Sequence, residues 1–259
     1  GRGFYYAAHD AKGCTKRVCL DKHMGQSGTM TLSYSAENAL IPGNSQMMGG
    51  KAVWQLYDGD WYDAAMIYRQ WALKEACWLP KLNEKNVRTD SPEWLHDIGL
   101  WCIGVVTDEK DWVQPILDLQ KEMDVPIAVH LYQWHQIPFD TCYPHYFPVK
   151  QNTLSGIQRL QEANIRVIPY INGRLWDVND GEDFVQYTGI EPKFTFEHEG
   201  KEIATTREDG SIIREAYISR RLNGERVRLN GVCLSQTKWH DIIEHLGERM
   251  YDELGIDGI

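Results

Sequence analysis

This chain has no excess of basic residues: its 259 residues carry 27 Lys and Arg against 37 Asp and Glu, a formal net charge of −10 at pH 7. Proteins that bind nucleic acid or anionic membrane surfaces neutralise phosphates with basic clusters, so neither is expected as a partner. Nor is there an apolar run close to the roughly 20 residues that a membrane-spanning helix needs. Cysteine is sparse and scattered. The six, Cys14, Cys19, Cys77, Cys102, Cys142 and Cys233, include no CxxC pair, which argues against a zinc ribbon or a thioredoxin-like site. Only Cys14 and Cys19 are close neighbours. A local disulfide between them stays open, with reduced thiols favoured because a chain of this length can bury a core without staples. No GxSxG elbow occurs and Cys102 lies inside a strand pattern, so no serine or cysteine nucleophile is signalled. Phenylalanine is scarce too. Six Phe stand beside ten Trp and thirteen Tyr, which favours rings with a polar handle, suited to mixed cores or sugar faces. What remains, 42% hydrophobic and 25% charged residues, is an ordinary globular composition.

The first ninety residues read as strands followed by a helix. Phe4 to Ala8, Thr15 to Leu20, Gly28 to Tyr34 and Ala52 to Tyr57 are β-branched or aromatic runs between turn residues, as in part of a β-sandwich. Asp60 can cap a helix in which Trp61, Ala64, Ala65, Tyr68, Trp71 and Ala72 share one face. The polar stretch Pro80 to Pro92 places a boundary there, giving domains at 1–90 and 91–259. From Trp94 strands alternate with helices, the signature of parallel βαβ units.

Ile98 to Val106 is apolar enough for a strand covered on both faces. Asp111 and Gln114 make a capping-box pair before a helix, and Pro115 is tolerable near its first turn. Val125 to Tyr132 and Ile165 to Ile171 are the next strands, with Thr153 capping the helix between them. A third helix follows Thr237 and stops at Gly255, and Ile256 to Ile259 opens a fourth strand. Residues 178–232 are too long for a connection. They are expected to hold an inserted hairpin over Phe194 to Arg228, turning at Asp209-Gly210. The fold class is therefore α/β: a partial (β/α)8 barrel of the TIM type, preceded by part of a β-sandwich and a linking helix. An open doubly-wound sheet is the rival, but the acidic Val106-Thr107-Asp108-Glu109 replaces its phosphate-binding loop. Half a barrel leaves an unpaired sheet edge, and the chain starts without Met and ends inside an apolar phrase, so it is expected to continue at both ends.

In such a barrel functional groups lie beyond the C-terminal ends of the strands. The second strand delivers His130, Tyr132, Trp134, His135 and Gln136, and the third Tyr170, Asn172, Arg174, Trp176 and Asp177. If extension persists, Tyr170, Asn172, Arg174 and Trp176 point one way. Asn172 and Arg174 would then be donors for sugar hydroxyls or carboxylates, with Trp134 or Trp176 under a pyranose face. Each has an ordinary alternative: Arg174 and Asp177 can simply pair, the two tryptophans can close the barrel mouth, and His130 reads as a core histidine. The cluster Arg214, Arg220, Arg221, Arg226 and Arg228 is most simply a solvated hairpin face. Asp10, Asp58 and Asp60 occupy turn or cap positions. No metal is called for: His130 and His135, at i and i+5 on a strand, point to opposite faces, and His240 and His245 fail on a helix by a similar argument. No cofactor is implied either. Asp177 is the one well-placed carboxylate, Asp257 lying at the wrong end of its strand, whereas glycoside hydrolysis needs two.

Gly3-Phe4-Tyr5-Tyr6-Ala7-Ala8-His9-Asp10, Gly59-Asp60-Trp61-Tyr62-Asp63-Ala64-Ala65 and Tyr68-Arg69-Gln70-Trp71-Ala72 resemble the join between β-sandwich and barrel in a family of uncharacterised bacterial glycoside-hydrolase-like proteins. That family is similar in layout to endo-α-N-acetylgalactosaminidases. Tyr170 to Asp177, Val232-Cys233-Leu234-Ser235 with Trp239, and Leu254 to Ile259 also look like it. The resemblance implies a (β/α)8 glycosidase acting on an oligo- or polysaccharide by a two-carboxylate, retaining mechanism. It implies a nucleophile just past strand four and an acid on a later strand, so the catalytic residues stay unknown and a chain ending at Ile259 is expected to be inert. It implies a substrate-side wall of Asn172, Arg174, Trp176 and Asp177, joined by Trp134, His135 and Trp239. The partners are then the carbohydrate and the remainder of the barrel beyond Ile259, and secretion or periplasmic export is favoured by the resemblance alone. A non-catalytic carbohydrate-binding or assembly module on the same scaffold is the alternative.

Overall fold

The computed structural model describes residues 1–22, 28–36, 41–177, 200–221 and 224–259, and the chain forms two compact units, Gly1–Pro92 and Glu93–Ile259. In the first, strands β1 (Arg2–His9), β2 (Lys16–Asp21), β3 (Thr29–Tyr34) and β4 (Lys51–Asp58) precede helix α1 (Trp61–Glu75). They pair as two separate antiparallel ladders, β1 with β4 and β2 with β3. The eight-residue β1–β4 register runs from Arg2↔Asp58 to His9↔Lys51. Gly50 makes that end possible: its φ is +95°, and a Cβ there would lie 2.3 Å from the His9 carbonyl oxygen. Successive residues face opposite sides of a strand, so Tyr5 is buried while Phe4, Trp54 and Leu56 share an exposed apolar face.

Helix α1 starts as its sequence dictates. The Asp60 carboxylate accepts from the Tyr62 N–H at 2.8 Å, and the Asp63 carboxylate reaches back to the Asp60 N–H at 2.9 Å, a capping box with Asp in the usual Glu position. Trp71 from its inner face stacks on His9 at 4.5 Å, and the His9 Nε2 meets the Tyr5 hydroxyl at 2.7 Å. Burial pushes the Tyr5 hydroxyl up to about 12 and His9 below its ordinary value. Asp10 is a turn residue as read, accepting from the Lys12 and Gly13 N–H groups, and it also takes Lys16 at 2.8 Å.

The second unit opens with the short α2 (Trp94–Asp97), then β5 (Leu100–Val105), α3 (Gln114–Met123), β6 (Ile127–Tyr132), α4 (Thr153–Glu162) and β7 (Arg166–Pro169). The three strands form a parallel sheet in the order β5-β6-β7. A small antiparallel sheet follows, β8 (Leu175–Asp177), β9 (Arg214–Glu215) and β10 (Leu229–Gly231) in the order β8-β10-β9, and α5 (Thr237–Leu254) comes last. Ile127, Val129, Leu131 and Val167 point from the parallel sheet into a core completed by Ile116 of α3, Ile157 and Leu160 of α4, and Leu246, Met250 and Leu254 of α5. Each such aliphatic side chain contributes about 1.5–3 kcal/mol by leaving water.

The opposite face of that sheet is open. Trp101, Ile103 and Val105 of β5, in register with Ala128, His130 and Tyr132 of β6, are 47%, 73% and 43% exposed. The expectation that Ile98 to Val106 is covered on both faces is thus corrected: among the described residues the helix-bearing side is packed, while on the other face the β5 side chains stand largely exposed.

Several local readings also change. Thr153 begins α4 but caps nothing, because its hydroxyl donates to the Trp134 carbonyl at 2.8 Å. Asp111 accepts from the Val113 and Gln114 N–H groups as a cap would, yet Gln114 donates forward to Asp118 instead of closing the box. The third strand ends at Pro169, not Ile171. Ile256 to Ile259 forms no strand; the Asp257 N–H donates to the Val167 carbonyl, and its carboxylate takes the Val167 N–H, Gln161 and Arg166. Helix α5 stops at Gly255, in the left-handed region at φ 66° as the sequence requires. Of the expected insertion, 178–199 and 222–223 lie outside the described residues; the Asp209-Gly210 turn is present, bracketed by a bridge between Thr206 and Ile212.

Candidate functional site

The C-terminal ends of β6 and β7 carry rings on the open face of the sheet. Tyr132 and Tyr170 stack at 4.7 Å with planes 10° apart, His130 lies 4.8 Å from Tyr132, and Phe139 leans on both tyrosines at 6.0 and 5.5 Å. Burial lowers the His130 pKa, so the ring is held neutral more firmly than a free imidazole. All four rings are partly exposed. The order of the side chains changes directly after β6, where Gln133 takes a left-handed conformation at φ 51°. That turn sends Trp134 inward: it is fully buried, stacks on Tyr146 at 5.4 Å and donates its indole N–H to the Tyr170 carbonyl at 2.9 Å.

The other expected aromatics are also interior. His135 is buried, with Nδ1 2.8 Å from the Ile137 carbonyl and Nε2 without a partner among the described residues, and burial drives its pKa down to about 4. Trp176 is fully buried and tilts against Trp239 at 6.0 Å, whose indole N–H donates to the Gly173 carbonyl. Trp134, His135, Trp176 and Trp239 therefore pack behind the strand ends and do not form their outer surface, which corrects the place expected for them.

Asn172 and Arg174 do lie toward solvent, but not through continued extension. β7 has ended, and the Asn172 side-chain oxygen accepts from the Arg174 N–H at 3.1 Å in a local turn. Arg174 and Asp177 do not pair with each other. Arg174 makes a two-pronged contact with Glu215, which also takes the Tyr217 hydroxyl at 2.6 Å, and these donors hold Glu215 below the usual carboxylate range. Asp177 is buried, accepting from Arg221 at 3.0 Å and from the Cys142 N–H at 2.8 Å. Arg221 is correspondingly no solvated hairpin residue.

Sequence reasoning missed Asp140. It sits in the loop after β6 at φ 57°, its N–H donating to the Tyr143 hydroxyl at 3.1 Å and that hydroxyl donating back to Oδ1 at 3.2 Å. Burial raises its pKa above the ordinary aspartate value, partly offset by the Tyr143 bond. The signal available was the ring density of Pro138 to Phe147, which a strand or helix period does not register.

A parallel sheet with helices on one face and partly buried rings and polar groups at its C-terminal edge is the framework on which α/β enzymes and binding proteins mount their sites. Residues 47–259 match the model of the family described as "Domain of unknown function (DUF6259)", and the chain belongs to that family. A protein of Bacteroides thetaiotaomicron named "Putative glycoside hydrolase" is 26% identical over the whole chain, and one of Monosiga brevicollis with a corresponding name is 28% identical over 73% of it. The chain spans 35% and 18% of the lengths of these two relatives. In fold it is similar to the ligand-free α-N-acetylgalactosaminidase NagBb from Bifidobacterium bifidum, with a TM-score of 0.56 over 95% of this chain and 42% of that one at 17% identity. The GalNAc complex of the same enzyme gives 0.55 at 16% identity, over 95% of this chain and 40% of that one. At such identities the likeness is one of fold.

Proposed function

We propose that the chain is part of a glycoside hydrolase in which Glu93–Ile259 is the first portion of a (β/α)8 barrel and Gly1–Pro92 the end of a β-sandwich with its linking helix. The observation that carries this reading is the open inner face of the parallel sheet. Parallel sheets are stable with both faces covered, and a barrel covers the inner one with the side chains of its remaining strands. The names of the two relatives and the fold of the N-acetylgalactosaminidase support a sugar substrate, and an α-linked N-acetylgalactosamine is the first to try. Asn172 and Arg174 would face that substrate, while Asp177, Trp134, His135, Trp176 and Trp239 hold the wall behind them.

The retaining mechanism asks for two carboxyl groups about 5–5.5 Å apart. Asp177 is committed to Arg221, so both would come from strands that complete the barrel. The test is turnover of a panel of aryl glycosides by the natural protein, with the anomer of the first product read by NMR. Hydrolysis with retention is expected. An inert protein that still binds sugar would instead establish the non-catalytic binding module.

A further inference from the structure

We propose that Asp140, with the rings of Phe139, Tyr132 and Tyr170, forms a binding subsite for one neutral hexopyranose, the apolar face of the sugar on the rings and two of its hydroxyls on the carboxylate. The inference rests on the carbohydrate reading above and deepens it by naming the recognition residues. An ionised carboxylate only accepts hydrogen bonds, and one drawn partly out of water needs donors. Asp140 receives one, from the Tyr143 hydroxyl to Oδ1; among the described residues no protein donor reaches Oδ2 and no cation pairs with the group, and the residue is partly exposed, so Oδ2 is open to a ligand. Sugar hydroxyls are donors of the right kind, and ring faces match the C–H faces of a pyranose.

The loop is built to hold that carboxylate still. Asp140 and Cys142 both adopt the left-handed conformation, at φ 57° and 52°, which for residues other than glycine persists only where the surroundings enforce it. Here three bonds enforce it: Ser219 Oγ to the Phe139 carbonyl at 2.6 Å, Thr141 Oγ1 to the Pro138 carbonyl at 2.6 Å, and the Cys142 N–H to the buried Asp177. Asp177 is thus a positioning residue. It acts through Cys142 on the acceptor that precedes it, whose Oδ1 is held in turn by the hydroxyl of Tyr143.

The experiment titrates N-acetylgalactosamine, galactose and glucose into the natural protein by saturation-transfer NMR, with Asp140→Asn, Asp140→Ala and Phe139→Ala alongside and melting temperatures as controls for folding. At least one sugar should bind with transfer from aromatic protons. Both Asp140 variants should weaken it about ten- to a hundredfold, the worth of a charge-assisted hydrogen bond; Asp140→Asn keeps an acceptor for the buried Tyr143 hydroxyl and should leave the melting temperature nearly unmoved, whereas Asp140→Ala strands that hydroxyl and should lower it. Wild-type affinity should fall as the solution is acidified and Asp140 takes up its proton. Binding indifferent to all three variants, or no binding of any of the three sugars, overturns the subsite. Aryl glycoside turnover separates the two ideas: turnover with unaltered kcat/KM in the variants sinks the subsite alone, whereas sugar binding that depends on Asp140 without turnover sinks the hydrolase and leaves the subsite standing.

Discussion

A carboxylate and a guanidinium that have both lost their water, as Asp177 and Arg221 have, depend on each other more than either contributes to stability. Asp177→Asn and Arg221→Met should each cost about 3–5 kcal/mol in urea unfolding, because each leaves a desolvated charge or donor behind. The double change Asp177→Leu with Arg221→Met should recover part of that loss, and strictly additive losses would show that the pair is not coupled. His135 makes a prediction about acid. Its folded pKa lies near 4, below the ordinary 6.5, so the unfolded chain takes up a proton first as pH falls. The stability it contributes is complete above about pH 6.5 and drains away toward pH 4, on the order of 3 kcal/mol in all. Unfolding curves of the wild type and His135→Gln between pH 7 and pH 4 should converge as that contribution disappears; parallel curves would mean that the ring is protonated in the fold.

At the scale of elements, α1 and α4 are held by different means. Removing the cap of α1 with Asp60→Ala should cost about 1 kcal/mol, the value of one N-terminal cap, measured as a shift of the urea midpoint. Gly156 of α4 is tighter: a Cβ there would meet the Trp112 ring at 2.1 Å, and Gly156→Ala should cost about 1–3 kcal/mol by overpacking, whereas an unchanged midpoint would mean the ring simply steps aside. These elements were legible in the sequence because their causes are local. The Asp60 cap, the helical spacing of Trp61 to Ala72, the left-handed stop at Gly255 and the alternation of β1 and β4 are each fixed by neighbours within a few residues. What the sequence concealed came from distant partners or from turns without a period. Thr153 looks like a cap until the Trp134 carbonyl claims its hydroxyl. The left-handed Gln133 reverses which side chains face outward after β6, so Trp134 and His135 went inward, and nothing near Asp177 announces Arg221 or the Cys142 N–H. Local pattern thus placed the candidate residues after β6 and β7, while Asp140 and the burial of five expected wall residues, Trp134, His135, Trp176, Asp177 and Trp239, required the tertiary structure.

At the scale of the molecule, the open face of β5-β6-β7 makes the proposed barrel testable without any substrate. Ile103 stands in the middle of the β5 register, opposite His130, and is the most exposed residue of that face in this chain. If further strands close the barrel in the natural protein, Ile103 points into a packed interior, where side chains from alternate strands fill the space in layers. A charged side chain there loses its water with no partner, so Ile103→Lys should destabilise the natural protein by several kcal/mol, at the upper end of what single substitutions do. Residues 1–259 alone should behave in the opposite sense. The same lysine would interrupt an exposed apolar surface shared with Trp101 and Val105, lowering self-association in sedimentation and leaving the urea midpoint almost unmoved. A lysine that is harmless in both proteins would mean that the face meets water in the natural molecule too, and the barrel would have to be given up for an open sheet.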